Sequence, residues 1–337
     1  MHTIRKVMIT AFGDASNVTV VNGTIDAPNK HEAQVAVEYS ALSGADINMR
    51  RGVYPMQPPA PLTPGYVIIG KVVAVGEGAD GIRVGQRVAS LTVTGGQAER
   101  VNVPVRFLVP VPDGVDPRQA VCLVLDWNTA WQMLEVATRR SAGKRIFVHG
   151  LSGAVGNALA TLARMRGIAV FGTASQRHHA ALRAAGITPF DYQDKQWIER
   201  MTLAGGVDAV FDPLGFESLA ESDAILRRGG LLVAYGFNLP ALTNTPTRSV
   251  LPWVIRLYAR NLRFWTGKRA TFYFISRTDR NFAKGLQALF NLQAQGKLTP
   301  AVKAVIPMER IADAHRAWGG GGAMGSFVIE VAGQPAA

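Results

Sequence analysis

The strongest constraint in this 337-residue chain is one continuous pattern: an apolar strand, three closely spaced glycines, a helix and a second strand. Arg145-Ile-Phe-Val-His149 runs into Gly150, Gly153 and Gly156. Helical apolar spacing follows from Asn157 to Arg166, and Ile168-Ala-Val-Phe-Gly-Thr173 reads as the closing strand. Flanked in this way, the glycines form a dinucleotide-binding pattern, because they let the backbone turn tightly and approach a pyrophosphate. The start of the helix offers unpaired N–H groups and the positive end of its dipole to that phosphate. The candidate cofactor contacts are therefore Gly150, Ser152, Gly153, Ala154, Val155 and Gly156. The alternative, a glycine-rich turn without a ligand, leaves the flanking strand and helix unexplained.

The end of the second strand bears on which dinucleotide binds. A site built for NAD usually carries Asp or Glu about 20 residues past the glycine loop, to hold the ribose hydroxyls. Here Gly172-Thr-Ala-Ser-Gln-Arg-His-His179 contains no acid. Ser175 can hydrogen-bond a 2′-phosphate, and Arg177 can bind one with two parallel hydrogen bonds, where a carboxylate would repel it. The reading is NADPH. The alternative is a solvated polar turn with NADH held through ribose contacts alone.

A chain this long has room for two domains. Hydrophobic residues make up 48% of it and charged residues 18%, ordinary for a globular protein. The start, Met-His-Thr-Ile-Arg-Lys-Val-Met-Ile9, reads as a strand and lacks the features of a signal peptide. No apolar run approaches the roughly 18 residues of a membrane span, so no stable membrane insertion is expected. Cys122 is the only cysteine, which excludes an intrachain disulfide and fits a reducing cytoplasm. The net charge of +12 raises the question of nucleic acid. The Lys and Arg residues are scattered and no nucleic-acid-binding motif is present, so an anionic nucleotide ligand accounts better for the charge.

Residues 1–124 read as short alternating strands broken by Gly and Pro, the texture of a small, bent barrel. From 125 onward strands and helices alternate, which predicts a doubly wound parallel sheet. Its strands are expected at Arg145–His149, Ile168–Thr173, Ala209–Asp212, Leu231–Tyr235 and Leu262–Trp265. After about 270 come a helix at 279–292, a strand at 301–307, a helix at 308–318 and a last strand at 326–331.

This order, together with a set of local motifs, resembles the medium-chain dehydrogenase/reductase superfamily over nearly the whole chain. The motifs are Ala45-Asp-Ile-Asn-Met-Arg-Arg-Gly-Val-Tyr-Pro55, Pro64-Gly-Tyr-Val-Ile-Ile-Gly-Lys-Val72, Val84-Gly-Gln-Arg-Val88 and Gly95-Gly-Gln-Ala-Glu99. Further on are the Gly150 turn, Gly206-Val-Asp-Ala-Val-Phe-Asp-Pro-Leu-Gly215 and Gly229-Gly-Leu-Leu-Val-Ala-Tyr-Gly236. The resemblance implies an α/β protein with a GroES-like β-barrel catalytic domain (1–124 and 270–337) and a Rossmann NADPH-binding domain (125–269). It also implies a cleft where the domains meet, and a homodimer.

The chain is most similar to the zinc-free quinone oxidoreductase branch. Zinc-dependent members carry an early Cys, a His in a Gly-His-Glu segment and a later Cys or Asp. This chain has Gly44, Gly65-Tyr66-Val67 and Leu125 at or near those places, and no set of zinc ligands is spaced to replace them. No metal is expected. The resemblance implies hydride transfer from NADPH to a quinone in the cleft, with an α,β-unsaturated carbonyl (enone) as the alternative acceptor. A non-catalytic NADPH-binding protein of the same fold is the further alternative.

The site residues implied by the resemblance follow the same motifs. Tyr54 is the candidate for orienting or protonating the substrate, with Asn48 and Trp127 as further substrate contacts. Asn128 and Thr129 approach the nicotinamide or its phosphates, and Tyr192 lies near the ribose phosphate. Gly236 and Phe237 sit at the carboxyl edge of the sheet. Asp46 and Arg50, four apart, read as an intrahelical ion pair. His149 reads as structural, and His31 and His315 as surface residues without partners. Leu251–Trp265 alternates apolar and arginine residues. It reads as a cover over the cleft, a subunit contact or a membrane-surface helix.

Overall fold

The computed structural model describes residues 1–140 and 143–331. Two compact units emerge, Met1–Asn128 with Ile275–Ala337, and Thr129–Phe274. In the first unit, β1 (His2–Ile9) and β2 (Val18–Ile25) form an antiparallel ribbon. The larger sheet begins with β3 (Glu32–Leu42), β4 (Val67–Val75), β5 (Arg87–Leu91), β6 (Arg100–Pro104) and β7 (Val109–Pro110).

The eleven-residue strand β3 organises this unit. One edge pairs with β4, while the other pairs with β6 from Glu32 to Ala36. Register shifts at Gln34/Val35 and Val37/Tyr39 bend it, as bulges do. Val35 and Val37 are fully or almost fully buried, so the alternating face of β3 lines the core.

The second unit is a six-stranded parallel sheet. Its strands are β8 (Arg145–Val148), β9 (Ala169–Ala174), β10 (Thr188–Asp191), β11 (Val207–Asp212), β12 (Leu226–Ala234) and β13 (Arg269–Phe272). Their order across the sheet is β10-β9-β8-β11-β12-β13. Every residue of β11 is buried, as a strand covered on both faces requires. The order reverses between β8 and β11, and the crevice at the carboxyl ends there is where such sheets take ligands.

The expected strand at Leu262–Trp265 does not form. Residues Arg260–Leu262 and Phe264–Thr266 are two tight 3-10 turns, and the sheet is completed by β13 instead. The apolar residues that suggested a strand are turned outward: Leu262 is 74%, Phe264 82% and Trp265 62% exposed. Ahead of them a helix at Leu251–Ala259 buries only Trp253 and Leu257. No helix among the described residues is long and apolar enough to cross a membrane.

The chain then returns to the first unit through a helix (Phe282–Ala294), β14 (Val302–Pro307), a helix (Ile311–Ala317) and β15 (Ser326–Glu330). Strand β15 pairs parallel with β14 and antiparallel with Tyr39–Leu42 of β3, on the edge that β6 leaves free. Residues 332–337 of the expected catalytic domain lie outside the described residues. Two histidine expectations are corrected. His31 is exposed but its Nδ1 lies 2.8 Å from the Gly78 carbonyl. His315 is buried, because its helix turns that face inward, and neither ring nitrogen has a hydrogen-bond partner.

Candidate active site

The glycine turn of the second unit leads tightly into a helix. Gly150 has φ +73°, a left-handed conformation that favours glycine, and its N–H donates to Thr173 Oγ1 (3.2 Å). Gly153 N–H donates to the Gly150 carbonyl (3.0 Å) and Gly153 caps the helix Ala154–Met165 without any side-chain cap. The first N–H groups of that helix are thus left for a ligand. A Cβ on Gly156 would lie 2.1 Å from the Gly150 carbonyl oxygen, so only glycine permits this close crossing.

Beside the turn, Ser175 is half-buried at the end of β9 and Arg177 is exposed in the 3-10 turn Gln176–His178. Tyr192 follows β10 and is half exposed. Gly236 and Phe237 follow β12, with Phe237 buried against Trp253 (ring centroids 6.5 Å apart). Thr129 is buried, and its Oγ1 has no hydrogen-bond partner among the described residues. A buried hydroxyl without a partner is costly, and a nicotinamide or phosphate group would satisfy it. The residues present therefore fit a nicotinamide dinucleotide.

His149 serves the framework. Its Nε2 lies 3.0 Å from Ser222 Oγ, which donates to Asp212 Oδ2 (3.0 Å). Asp212 also accepts from Ser218 Oγ (2.6 Å) and from the Leu214 and Gly215 N–H groups. Burial holds the imidazole below its usual range, against the opposing charge of Asp212.

In the first unit, the helix Gly44–Arg50 starts with a capping box. Ser43 N–H and Oγ both donate to Asp46 Oδ2 (2.9 and 2.7 Å), and Gly65 N–H donates to Asp46 Oδ1 (3.0 Å). Both carboxylate oxygens are therefore engaged, one at the helix start and one at Gly65. The expected Asp46–Arg50 pair is absent: Arg50 Nη1 turns instead to the Gly13 carbonyl (2.7 Å). The Asp46 contact fixes Gly65, and hence the neighbouring Tyr66.

Tyr54 sits in the loop after this helix. Gln57 Oε1 accepts from its N–H (2.9 Å), while Gln57 Nε2 donates to the Met49 carbonyl (3.2 Å). Its hydroxyl lies 2.7 Å from that of Tyr66, with the rings edge to face. Burial and the neighbouring Tyr66 hold the Tyr54 phenol above its usual range, and burial does the same for Tyr66. Neither phenol ionises near neutral pH. Asn48 is buried on the helix, and Trp127 is buried in a wide π-type turn, Leu123–Trp127. Asn128 Nδ2 donates to the Phe282 carbonyl (3.2 Å). In the same turn Asp126 accepts from Ser326 Oγ (2.5 Å), and burial pushes its carboxyl up to about 6.

Comparison with known proteins now bears on this geometry. The alcohol dehydrogenase GroES-like domain matches residues 29–113 and the zinc-binding dehydrogenase domain residues 184–329. The human synaptic vesicle membrane protein VAT-1 homolog is 31% identical over 327 residues, spanning 93% of this chain and 83% of that protein. The chain belongs to the medium-chain dehydrogenase/reductase superfamily. Mouse quinone oxidoreductase is 26% identical over 321 residues, 93% of either chain, and this chain falls in the zinc-free quinone oxidoreductase-like branch. The structure of Escherichia coli quinone oxidoreductase complexed with NADPH shares the fold, with a TM-score of 0.82 at 21% identity over 97% of this chain and 99% of that one. As an oxidoreductase of this superfamily, the protein has a nicotinamide-binding domain in its second unit.

Sequence reasoning missed Tyr66 as the hydrogen-bond partner of Tyr54. It lies twelve positions from Tyr54, with no periodicity linking the two. The Asp126–Ser326 contact was equally hidden, being 200 residues apart in the chain. Among the described residues, no group of three or more His, Cys, Asp or Glu is placed to hold a metal ion.

Proposed function

We propose that this protein is an NADPH-dependent reductase acting on quinones. The observation that carries the reading is the Gly150–Gly156 turn, with its uncapped helix start, beside an acid-free strand end bearing Ser175 and Arg177. When bound, NADPH supplies a hydride. The protein's part is binding and orientation. The N–H groups at the start of Ala154–Met165 hold the pyrophosphate, and Ser175 and Arg177 hold the 2′-phosphate. Tyr192 borders the ribose phosphate, Gly236 and Phe237 border the ring end of the cofactor, and Thr129 Oγ1 finds its missing partner there.

Tyr54 donates a hydrogen bond to a substrate carbonyl, and water completes the protonation, because the phenol is held neutral. A quinone suits this division of labour, since its reduced anion is delocalised and can wait for water. The same hydroxyl supports enone reduction as a second reading. Asn48 and Trp127 are the further substrate contacts of this reading.

A second copy of the chain is the partner of the second unit. Strand β13 ends the sheet, and large apolar side chains stand exposed next to it. The test of the activity is steady NADPH oxidation with menadione or another simple quinone. Tight NADPH binding without turnover on any quinone or enone would make the protein a non-catalytic member of the fold.

A further inference from the structure

The Tyr54–Tyr66 pair has a direction. Each phenol has one hydrogen to donate, and each can also accept. With the oxygens 2.7 Å apart, one hydroxyl donates to the other, and one hydrogen is left over. Tyr66 is only 1% exposed, while Tyr54 is half-buried. Were Tyr54 the donor, the spare hydrogen would sit on Tyr66, enclosed by the core with no acceptor among the described residues. A buried hydroxyl hydrogen without an acceptor is penalised, whereas one at a partly open position can meet water or a ligand. With Tyr66 as donor, the spare hydrogen lies on Tyr54.

The geometry points to Tyr66 as a positioning residue that fixes Tyr54 as a one-way hydrogen-bond donor toward a substrate carbonyl. This rests on the reductase reading given above. A hydroxyl that accepts one hydrogen bond becomes a better donor of its own, so the pair strengthens the contact to the carbonyl oxygen as negative charge gathers there. No proton leaves either tyrosine. Burial keeps both phenols neutral, and water delivers the proton that completes the product. Tyr66 is itself held by contacts outside its side chain. Its carbonyl accepts from the Thr92 and Val93 N–H groups (2.9 and 3.2 Å), and the preceding Gly65 N–H is bound to buried Asp46. The donor is thus fixed at the entry to β4, and Tyr54, on a loop, is oriented by it.

The test is a double-mutant cycle with Tyr54→Phe and Tyr66→Phe, which remove one oxygen each and keep both rings. NADPH oxidation is followed with menadione and with cyclohexenone. On the enone, Tyr66→Phe should lower kcat by about tenfold and Tyr54→Phe by about 100-fold, with the KM for NADPH unchanged. With menadione both losses stay within about tenfold, since a quinone needs less help. Once Tyr54→Phe is in place, adding Tyr66→Phe should cost nothing further. Equal losses from Tyr66→Phe with and without Tyr54 would make its role structural and overturn the proposal. A silent Tyr66→Phe beside a costly Tyr54→Phe would overturn it too.

Menadione binding, read by quenching of intrinsic fluorescence, needs no turnover. Loss of the donor should weaken binding by about fivefold in either single variant. If the unmutated protein consumes no NADPH, the reductase reading fails by itself, and the binding measurement still decides on Tyr66. Equal menadione dissociation constants in the unmutated and Tyr66→Phe proteins would overturn the proposal.

Discussion

At the end of β9, Ser175 and Arg177 stand where a carboxylate would select NADH. An exposed arginine beside a 2′-phosphate contributes both charge and two parallel hydrogen bonds. NADPH should therefore bind at least ~10-fold more tightly than NADH, about 1.4 kcal/mol. Replacing Arg177→Ala should narrow that gap, and titrations with the two cofactors read it directly. Equal dissociation constants in the unmutated protein would remove the preference. These residues were legible in the sequence because their grouping is local: the strand, the turn and the polar residues that follow are contiguous. Tyr66 was not, since only folding brings it to Tyr54. The same limit explains His315. Its helix is short and mixes alanines with Asp313 and Arg316, which marks no inner face in sequence, yet the fold turns its ring inward.

Elements formed where the sequence supplied both an apolar run and a stop. Strands β8, β9 and β11 match their expected positions to within two residues, because each apolar run meets polar or turn residues at its end: His149-Gly150, Ser175-Gln176 and Asp212-Pro213. Strand β12 starts five residues early, across the register shift at Val207/Ala209. The sheet's last strand was misplaced because Leu262-Arg263-Phe264-Trp265 is a short, largely apolar and aromatic run, as a strand would be. In the fold those side chains are exposed on 3-10 turns, and Gly267 in the left-handed region precedes the real strand.

At the turn before the helix Ala154–Met165, Gly156→Ala tests the cradle. The new Cβ meets backbone, not a flexible side chain, so the turn must open. NADPH affinity should drop by at least about tenfold while the circular dichroism of the protein is retained. Unchanged affinity would mean that the cofactor does not use this turn.

The helix Ile311–Ala317 makes a pH prediction. Burial, and then the nearby Arg50, hold His315 down at about 3. Above the ordinary histidine value the ring is neutral in both folded and unfolded states, and no stability is at stake. As pH falls from about 6.5 toward 3, the unfolded chain takes up a proton that the folded one refuses, at about 1.4 kcal/mol per pH unit. Asp126, raised to about 6, acts the other way, stabilising the fold as its carboxyl protonates. The comparison is therefore with His315→Leu, which keeps Asp126. Between pH 6.5 and 4.5 (about one to three kcal/mol) the unmutated protein should lose more Tm than the variant. Parallel Tm curves would show that His315 is charged or solvated in the fold.

For the whole molecule, the open edge at β13 and its exposed apolar neighbours predict a dimer. An unpaired sheet edge beside large apolar side chains is a surface that proteins otherwise cover. Sedimentation at micromolar concentration should show two copies, and Ile255→Asp combined with Phe264→Asp should shift them to monomers. A monomeric unmutated protein would rule this face out. The two-part organisation itself was readable from texture, with short Gly- and Pro-broken strands giving way to alternating strands and helices. What no local pattern shows is that one strand serves two distant partners.

Strand β3 completes its pairing only when β15, close to the other end of the chain, comes to its edge. During synthesis on the ribosome, the first unit must therefore wait with part of an edge open, while every strand of the second unit is already available. The polypeptide that emerges first is the last to be finished, and the enclosed unit can close before the one that encloses it in sequence. A chain halted after β13 should yield a folded parallel sheet attached to an N-terminal half that proteases still cut.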